Sequence, residues 1–146
     1  AELDVEIEVV DAPRAAVVAA DLVVTSGPIL KAPTPVIDVD WLAPGAFACP
    51  VDFDSYWKGA ALRQADKLAT DDMGQLGFYR AAGYFTDTPE PYADLGQIVA
   101  GQQPGREGDD ERTIAINLGL ALEDMAAAMP VYERALELGI GTRLPL

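Results

Sequence analysis

The fold of this chain is decided by residues 113–139, which read TIAINLGLALEDMAAAMPVYERALELG. The run from Thr113 to Ile116 predicts a short strand, and the Asn-Leu-Gly that follows predicts a turn. Apolar side chains then recur every three or four residues, the spacing of one face of a helix. These side chains are Leu118, Leu122, Met125, Met129, Tyr132 and Leu136. We therefore predict a strand that turns into a long amphipathic helix with one buried face.

Two residues qualify the prediction of this helix. Pro130 lies inside it, removes a backbone hydrogen bond and clashes with the preceding turn, so the helix is expected to kink or restart there. Gly139 follows the last apolar residue, where a left-handed glycine commonly ends a helix. The Gly-Ile-Gly-Thr at residues 139–142 is therefore interpreted as a helix C-cap and not as a phosphate-binding turn.

Strands and helices alternate upstream of this segment. Strands are predicted over 5–10, 21–25, 46–51 and 67–71, and helices over 13–20, 55–64, 72–82 and 93–101, with a helical turn over 38–42. Asp11 is the expected cap of the first helix, although an acid after a strand could also hold a ribose. Pro50 cannot donate to a ladder and must lie at the end of its strand. Such alternation predicts an α/β fold with a parallel sheet and flanking helices.

Composition excludes several classes of function. The 146 residues carry a net charge of −14, which disfavours nucleic acid and membrane surfaces as partners. The sequence has no His and a single Cys, so a disulfide within the chain, a His-based metal site and a Ser-His-Asp triad are excluded, and no metal is expected. No signal sequence and no apolar run of the roughly 18 residues needed to span a membrane is visible. A cytoplasmic location is therefore expected.

Four stretches of the chain are similar to phrases of the ornithine cyclodeaminase/mu-crystallin family: residues 5–25, 41–54, 93–111 and 113–142. Members of that family are roughly twice as long and begin with a substrate-binding, dimerising region and the glycine-rich start of a Rossmann domain. The chain contains no Gly-x-Gly-x-x-Gly motif. The resemblance implies that residues 1–112 are the C-terminal portion of an NAD(P)-binding, Rossmann-type sheet. Residues 113–146 would form a strand–helix segment that returns to the substrate and dimerisation domain.

The resemblance also implies a function for the intact protein. It would be a nicotinamide-dependent oxidoreductase or cyclodeaminase that uses NAD or NADP on an amino acid or cyclic imine, as ornithine cyclodeaminase does. A ketimine reductase, an amino-acid dehydrogenase and a non-catalytic, mu-crystallin-like NADP-binding protein are the alternatives. The expected partners are the small amino-acid or imine substrate and a second copy of the chain, or a complementary N-terminal half. The chain alone is expected to be inactive.

The first candidate site follows the strand predicted over 46–51. Aligned on the family without a gap, it implies a nicotinamide pocket lined by Ala48, Cys49, Pro50 and Val51, a proton-transferring Asp54, and Lys58 as an electrostatic partner close to the cofactor. A carboxylate suits proton transfer because burial can raise its pKa toward neutrality. Asp54 is preferred to Asp52 because of the alignment and because Lys58 could reach back to it on a first helical turn. A solvated surface loop is the alternative.

Departures from the family pattern mark the same stretch. Asp52-Phe53 stands where the family has paired glycines, and Tyr56-Trp57 stands where it has Pro-Gly. These larger side chains put ornithine specificity in doubt.

Two further strand ends carry candidate site residues. Ser26 and Gly27 follow the second predicted strand and, by resemblance, lie beside the cofactor, although a plain turn explains them equally well. Asn117 and Leu118 stand at the entry of the long helix. The resemblance gives Asn117 to the cofactor and Leu118 to the substrate, and a simple helix cap at Asn117 is the alternative.

Overall fold

The computed structural model describes residues 5–145 and contains ten helices and strands within them. In chain order these are α1 (Pro13–Val17), β1 (Leu22–Thr25), β2 (Phe47–Pro50), α2 (Gly59–Leu62), β3 (Lys67–Thr70), α3 (Met73–Ala81), β4 (Ala93–Asp94), α4 (Leu95–Val99), β5 (Thr113–Ile116) and α5 (Ala121–Leu138). The alternation predicted from the sequence is confirmed in outline.

The strands form one five-stranded sheet in the order β1-β2-β5-β3-β4, and every neighbouring pair is parallel. The last strand, β5, lies between β2 and β3, so the segment that joins β2 to β3 crosses over the position of β5. Because all strands run the same way, their carboxyl ends share one edge of the sheet, which we call the carboxyl edge. An α/β fold with a parallel sheet, flanking helices and a C-terminal helix is thus confirmed.

The core lies on and between the central strands. Ala48 of β2 is wholly buried, and Ile114 and Ile116 of β5 are 1% and 2% exposed. Leu76 of α3, 1% exposed, belongs to the same hydrophobic cluster. Parallel strands covered on both faces are expected to be apolar on both, and β5 fits that rule. This packing is what holds the carboxyl edge in place.

The strand predicted over residues 5–10 is absent. That segment is irregular, and its apolar side chains face solvent, with Ile7 82% and Val9 89% exposed. A strand needs a neighbour for its backbone groups, and no strand of residues 5–145 runs beside it. Asp11 does not cap α1 either, since the N-cap is Ala12 without a side-chain hydrogen bond.

Other boundaries shift by a few residues. The helix predicted over 55–64 is reduced to α2, because residues 52–57 are tied to β1 along an irregular path. Residues 38–42 form a turn without a helix, and α4 starts only at Leu95, after the short β4. Asp72 is the N-cap of α3, where its carboxylate accepts from the Gln75 amide at 2.6 Å. Pro50 ends its strand as predicted.

The long helix α5 forms as one segment that includes Pro130, so the helix does not restart there, and the kink that was the other expected outcome stays a prediction. Gly139 ends it with φ of 62°, and the predicted C-cap is confirmed. The predicted buried face is not found, because no residue of α5 is buried and Leu122 is 75% exposed. Only Leu118, before the helix, packs against the core. Among residues 5–145 no helix is both long and apolar enough to cross a membrane.

Candidate functional site

The loops that leave the carboxyl edge are joined by backbone hydrogen bonds. The Val51 amide donates to the Thr25 carbonyl and the Asn117 amide to the Pro50 carbonyl, both at 2.9 Å. The Asp71 amide donates to the Ile116 carbonyl at 3.2 Å. These bonds bring the candidate residues after β1, β2 and β5 side by side. Parallel sheets bind their ligands at this edge.

Asn117 and Cys49 are in direct contact there. The Asn117 side-chain amide donates to the Cys49 sulfur at 3.1 Å and to the Ala115 carbonyl at 3.0 Å. Asn117 is not the helix cap, because α5 begins later with Leu120 in the N-cap position. The cap alternative is therefore wrong, and the Asn117 side chain instead joins the ends of β2 and β5 by hydrogen bonds.

Asp71 is a carboxylate at this edge that sequence reasoning did not select. It is only 7% exposed, and its Oδ2 accepts from the Leu118 and Gly119 amides, both at 2.7 Å. Its Oδ1 accepts from the Asp72 amide at 2.9 Å. Asp71 thereby fixes the turn that carries Asn117 and Leu118. The available signal was an acid immediately after a buried strand, on the edge where ligands bind.

Asp52 ties the loop after β2 to the end of β1. It is wholly buried, and its two oxygens accept from the Thr25 hydroxyl and from the Tyr56 amide, the latter at 2.9 Å. The Trp57 indole donates to the Thr25 hydroxyl at 3.0 Å. Burial raises the pKa of Asp52, and the hydrogen bonds from Thr25 and Tyr56 oppose that rise. Both carboxylate oxygens are thus occupied by the fold.

Gly27 lies directly against the Tyr56 ring of this loop, and Ser26 precedes Gly27 in the chain. Ser26 and Tyr56 line a cavity of about 390 Å³ that also borders α1, β1, Val36 and Ile37. Its lining is mostly apolar, and its hydroxyl-bearing side chains are Thr25, Ser26 and Tyr56. The cavity opens along β1, which is the terminal strand of the described sheet.

Asp54 has a different environment from Asp52. Its Oδ2 accepts from the Phe85 amide at 2.7 Å, while its Oδ1 is buried without a hydrogen-bond partner. It lines a small cavity of about 70 Å³ together with Trp57, Gly59 and Phe85. The structure thus brings Asp54 to the 85–88 loop and not into the Cys49–Asn117 contact. The Phe85 amide thus orients one oxygen of Asp54, and the other oxygen accepts no hydrogen bond from the described residues.

Lys58 does not reach back to Asp54, so the predicted contact between them is wrong. It adopts an extended conformation as the N-cap of α2, and its ammonium pairs with Asp38. The Lys58 hydrogen bond lowers the pKa of Asp38. The expected Asp54–Lys58 contact fails because the helical turn that would have carried it does not form.

The chain matches known proteins over nearly its whole length. The sequence pattern described as the ornithine cyclodeaminase/mu-crystallin family covers residues 1–139. N-((2S)-2-amino-2-carboxyethyl)-L-glutamate dehydrogenase of Staphylococcus aureus is 35% identical over 119 residues, which is 77% of this chain and 35% of that protein.

Solved structures agree with this match. Delta(1)-pyrroline-2-carboxylate reductase of Thermococcus litoralis, in complex with NADH and L-proline, superposes with a TM-score of 0.68 at 28% identity, covering 92% of this chain and 44% of that one. An archaeal alanine dehydrogenase dimer with bound NAD gives 0.66 at 26% identity, covering 93% and 44%. The chain therefore spans less than half the length of these relatives.

Proposed function

Since the chain belongs to the ornithine cyclodeaminase/mu-crystallin family, we propose that the natural polypeptide containing it is a nicotinamide-dependent oxidoreductase acting on an amino acid or a cyclic imine. The chain contributes the part of the cofactor pocket formed by the carboxyl ends of β1, β2 and β5. A dehydrogenase or reductase is the preferred reaction because the relatives described above carry those names. The bound cofactor supplies the hydride acceptor or donor.

The observation that carries the proposal is the cluster of candidate residues at the carboxyl edge. Cys49 and Asn117 touch, Ser26 lies at the neighbouring strand end, and Asp71 fixes the turn of Leu118. Amide and hydroxyl groups held at the carboxyl edge suit a neutral, planar ring with a carboxamide. These residues fit the nicotinamide half of the cofactor.

We assign proton transfer to Asp54. The Phe85 amide orients one of its oxygens, and the other has no hydrogen-bond partner in the described chain although it is buried. Such an unpaired oxygen is costly unless a ligand or water uses it, which is the situation expected of a proton carrier. Asp52 is a poor candidate because both its oxygens already accept hydrogen bonds within a closed network.

The pyrophosphate of the cofactor has no binding turn in this chain, since no Gly-x-Gly-x-x-Gly is present. We therefore expect the 146 residues alone to bind NAD(H) or NADP(H) weakly. Calorimetry is the measurement, and micromolar affinity of the isolated chain for either cofactor would contradict this expectation.

The deciding experiment uses the full natural polypeptide. Absorbance at the nicotinamide band is followed with NADH and NADPH in turn against a set of cyclic imines and of 2-oxo acids with amines. The reverse direction is followed with NAD⁺ and NADP⁺ against amino acids. Substrate-dependent oxidation or reduction of the cofactor supports the enzyme. Tight cofactor binding without turnover of any member of the set would instead support a mu-crystallin-like binding protein.

We also propose that the apolar face of α5 is covered in the assembled protein, by a second copy of the chain or by an N-terminal portion. Leu122, Met125, Met129 and Tyr132 are all more than half exposed on that face. Exposed apolar surface of this extent drives association. One of the similar structures is described as a dimer.

Light scattering on matched variants tests this assembly. Met125→Glu with Met129→Glu changes the apolar face and should dissociate the assembly, while Ala127→Glu, on the opposite side of the helix by its 100° spacing, should leave it intact. A monomeric wild-type protein that binds no apolar dye would contradict the proposal.

A further inference from the structure

Tyr56 lies directly over Gly27 at the carboxyl end of β1. A Cβ atom added to Gly27 would stand 2.6 Å from Cε2 and 2.8 Å from Cζ of the Tyr56 ring, and closer still to its hydroxyl oxygen. Real Cβ atoms do not approach other atoms this closely, so any larger residue at position 27 must move the ring. The Tyr56 hydroxyl occupies the space that a side chain of residue 27 would fill.

The backbone of Tyr56 is held from both sides. Its amide donates to Asp52 at 2.9 Å, and its carbonyl accepts from the Val36 and Ile37 amides, both at 2.9 Å. Asp52 is wholly buried and is itself bonded to Thr25. These bonds fix the backbone from which the ring projects, which limits the positions that the Tyr56 hydroxyl can reach and so lowers the entropy cost of binding a ligand.

The hydroxyl groups along the nearby cavity are not equivalent. The Thr25 hydroxyl donates to Asp52 and accepts from the Trp57 indole at 3.0 Å. Its proton is therefore already used in a hydrogen bond within the chain. The hydrogen bonds of Tyr56 to described residues are made by its backbone. Tyr56 and the exposed Ser26 therefore provide the available hydroxyls on this side of the carboxyl edge.

We infer that Tyr56 is a cofactor-binding residue of the pocket, whose hydroxyl binds a polar group of the dinucleotide at the end of β1, and that Gly27 is required because it leaves room for that ring. The ligand group is a ribose hydroxyl or a carboxamide, both of which can accept from a phenol. This inference rests on the proposed function and adds to it a residue that the resemblance does not supply.

The test measures the affinity of the full natural polypeptide for NADH and NADPH by calorimetry. Tyr56→Phe keeps the ring and removes the hydroxyl, so affinity should fall about 3- to 10-fold, the size of one neutral hydrogen bond. Tyr92→Phe is the matched control. Its hydroxyl donates to the Pro104 carbonyl, away from the candidate residues, and its removal should leave affinity unchanged.

A double-mutant cycle tests the pairing with Gly27. Gly27→Ala should weaken binding in the wild-type background because the new Cβ displaces the ring, and should have no further effect once Tyr56→Ala has removed that ring. Thermal unfolding of each variant confirms that it is folded.

Three results would overturn the inference. If wild type binds but Tyr56→Phe binds equally well, Tyr56 has no such role and the proposed function survives. If Gly27→Ala has the same effect in both backgrounds, the glycine serves another purpose. If wild type binds neither cofactor, the proposed function and this inference fail together.

Discussion

The sheet with its covering helices and the helix α5 carry equally clear apolar patterns, yet they differ completely in burial. Ile114 in β5 is 1% exposed, whereas Leu122, only eight residues later in the same predicted strand–helix unit, is 75% exposed. Periodicity fixes which side chains share a face, and burial depends on what lies against that face. A clear amphipathic pattern therefore predicts a partner surface for the apolar face as well as the helix itself.

Polar side chains differ between the two regions as well. At the carboxyl edge the carboxylates of Asp52 and Asp71 are buried and tie loops to neighbouring strands. On α5 the ion pair of Arg134 with Glu137 is solvent-exposed on both sides and contributes little. The packed region thus has a fixed geometry suited to a site, and α5 has a surface suited to contact.

The largest expected effect separates two acids within the packed region. In the full natural polypeptide Asp54→Asn should lower kcat by roughly 10²–10⁴-fold and leave cofactor affinity nearly unchanged, because it removes the carboxylate proposed to act in proton transfer alone. Asp52→Asn should chiefly lower thermal stability, since it breaks the Thr25–Asp52–Tyr56 network. Steady-state kinetics with calorimetry measure both. Loss of turnover in Asp52→Asn alone would reverse the assignment.

Truncation of one apolar side chain in each region tests the contrast in burial. Ile114→Ala should cost about 2–5 kcal/mol of unfolding free energy because it leaves a cavity in the core. Leu122→Ala should change the stability of the dissociated chain by less than about 0.5 kcal/mol, as for an exposed position. Urea unfolding at low protein concentration compares them. Equal losses would mean that α5 packs on the sheet in solution.

Removal of Asp71 tests how the carboxyl edge is held. Asp71→Ala leaves the Leu118 and Gly119 amides without their acceptor and should cost about 2–3 kcal/mol. The matched control is Asp72→Ala, which removes only the cap of α3 and should cost about 1 kcal/mol. Chemical denaturation measures both. If the control loses more stability, Asp71 does not hold the turn.

The smallest expected effect is a pH dependence from Asp52. Burial raises its pKa in the folded chain, so the folded state holds the proton more tightly than the unfolded state, whose Asp pKa is about 3.9. The stability that Asp52 contributes is present below that value and is lost as pH rises through the raised folded value. The difference in unfolding free energy between wild type and Asp52→Asn should therefore shrink with rising pH. Denaturation series at several pH values measure it, and a growing difference would contradict the assigned direction.

The sequence could predict that several candidate residues lie together because parallel strands end at one edge of the sheet. The contact of Asn117 with Cys49 and the position of Ser26 follow from strands that were predicted within one or two residues. The roles of these residues, and those of Ala48, Pro50, Val51, Lys58 and Leu118, stay predictions. Asp71 was missed because its sequence signal, an acid directly after a buried strand, does not reveal the contacts that its carboxylate makes with the distant Leu118 and Gly119 amides.

The sequence by itself determined the alternation of strands and helices, the end of β2 at Pro50, the C-cap at Gly139 and the apolar stripe of α5, because each depends on local backbone chemistry or on spacing along the chain. The tertiary structure alone decided that β5 lies between β2 and β3, that residues 5–10 form no strand, that Lys58 pairs with Asp38, and that Tyr56 fills the space over Gly27. Each of these depends on which distant segment is present to offer a hydrogen bond, a charge or a surface, and a linear pattern does not contain that information.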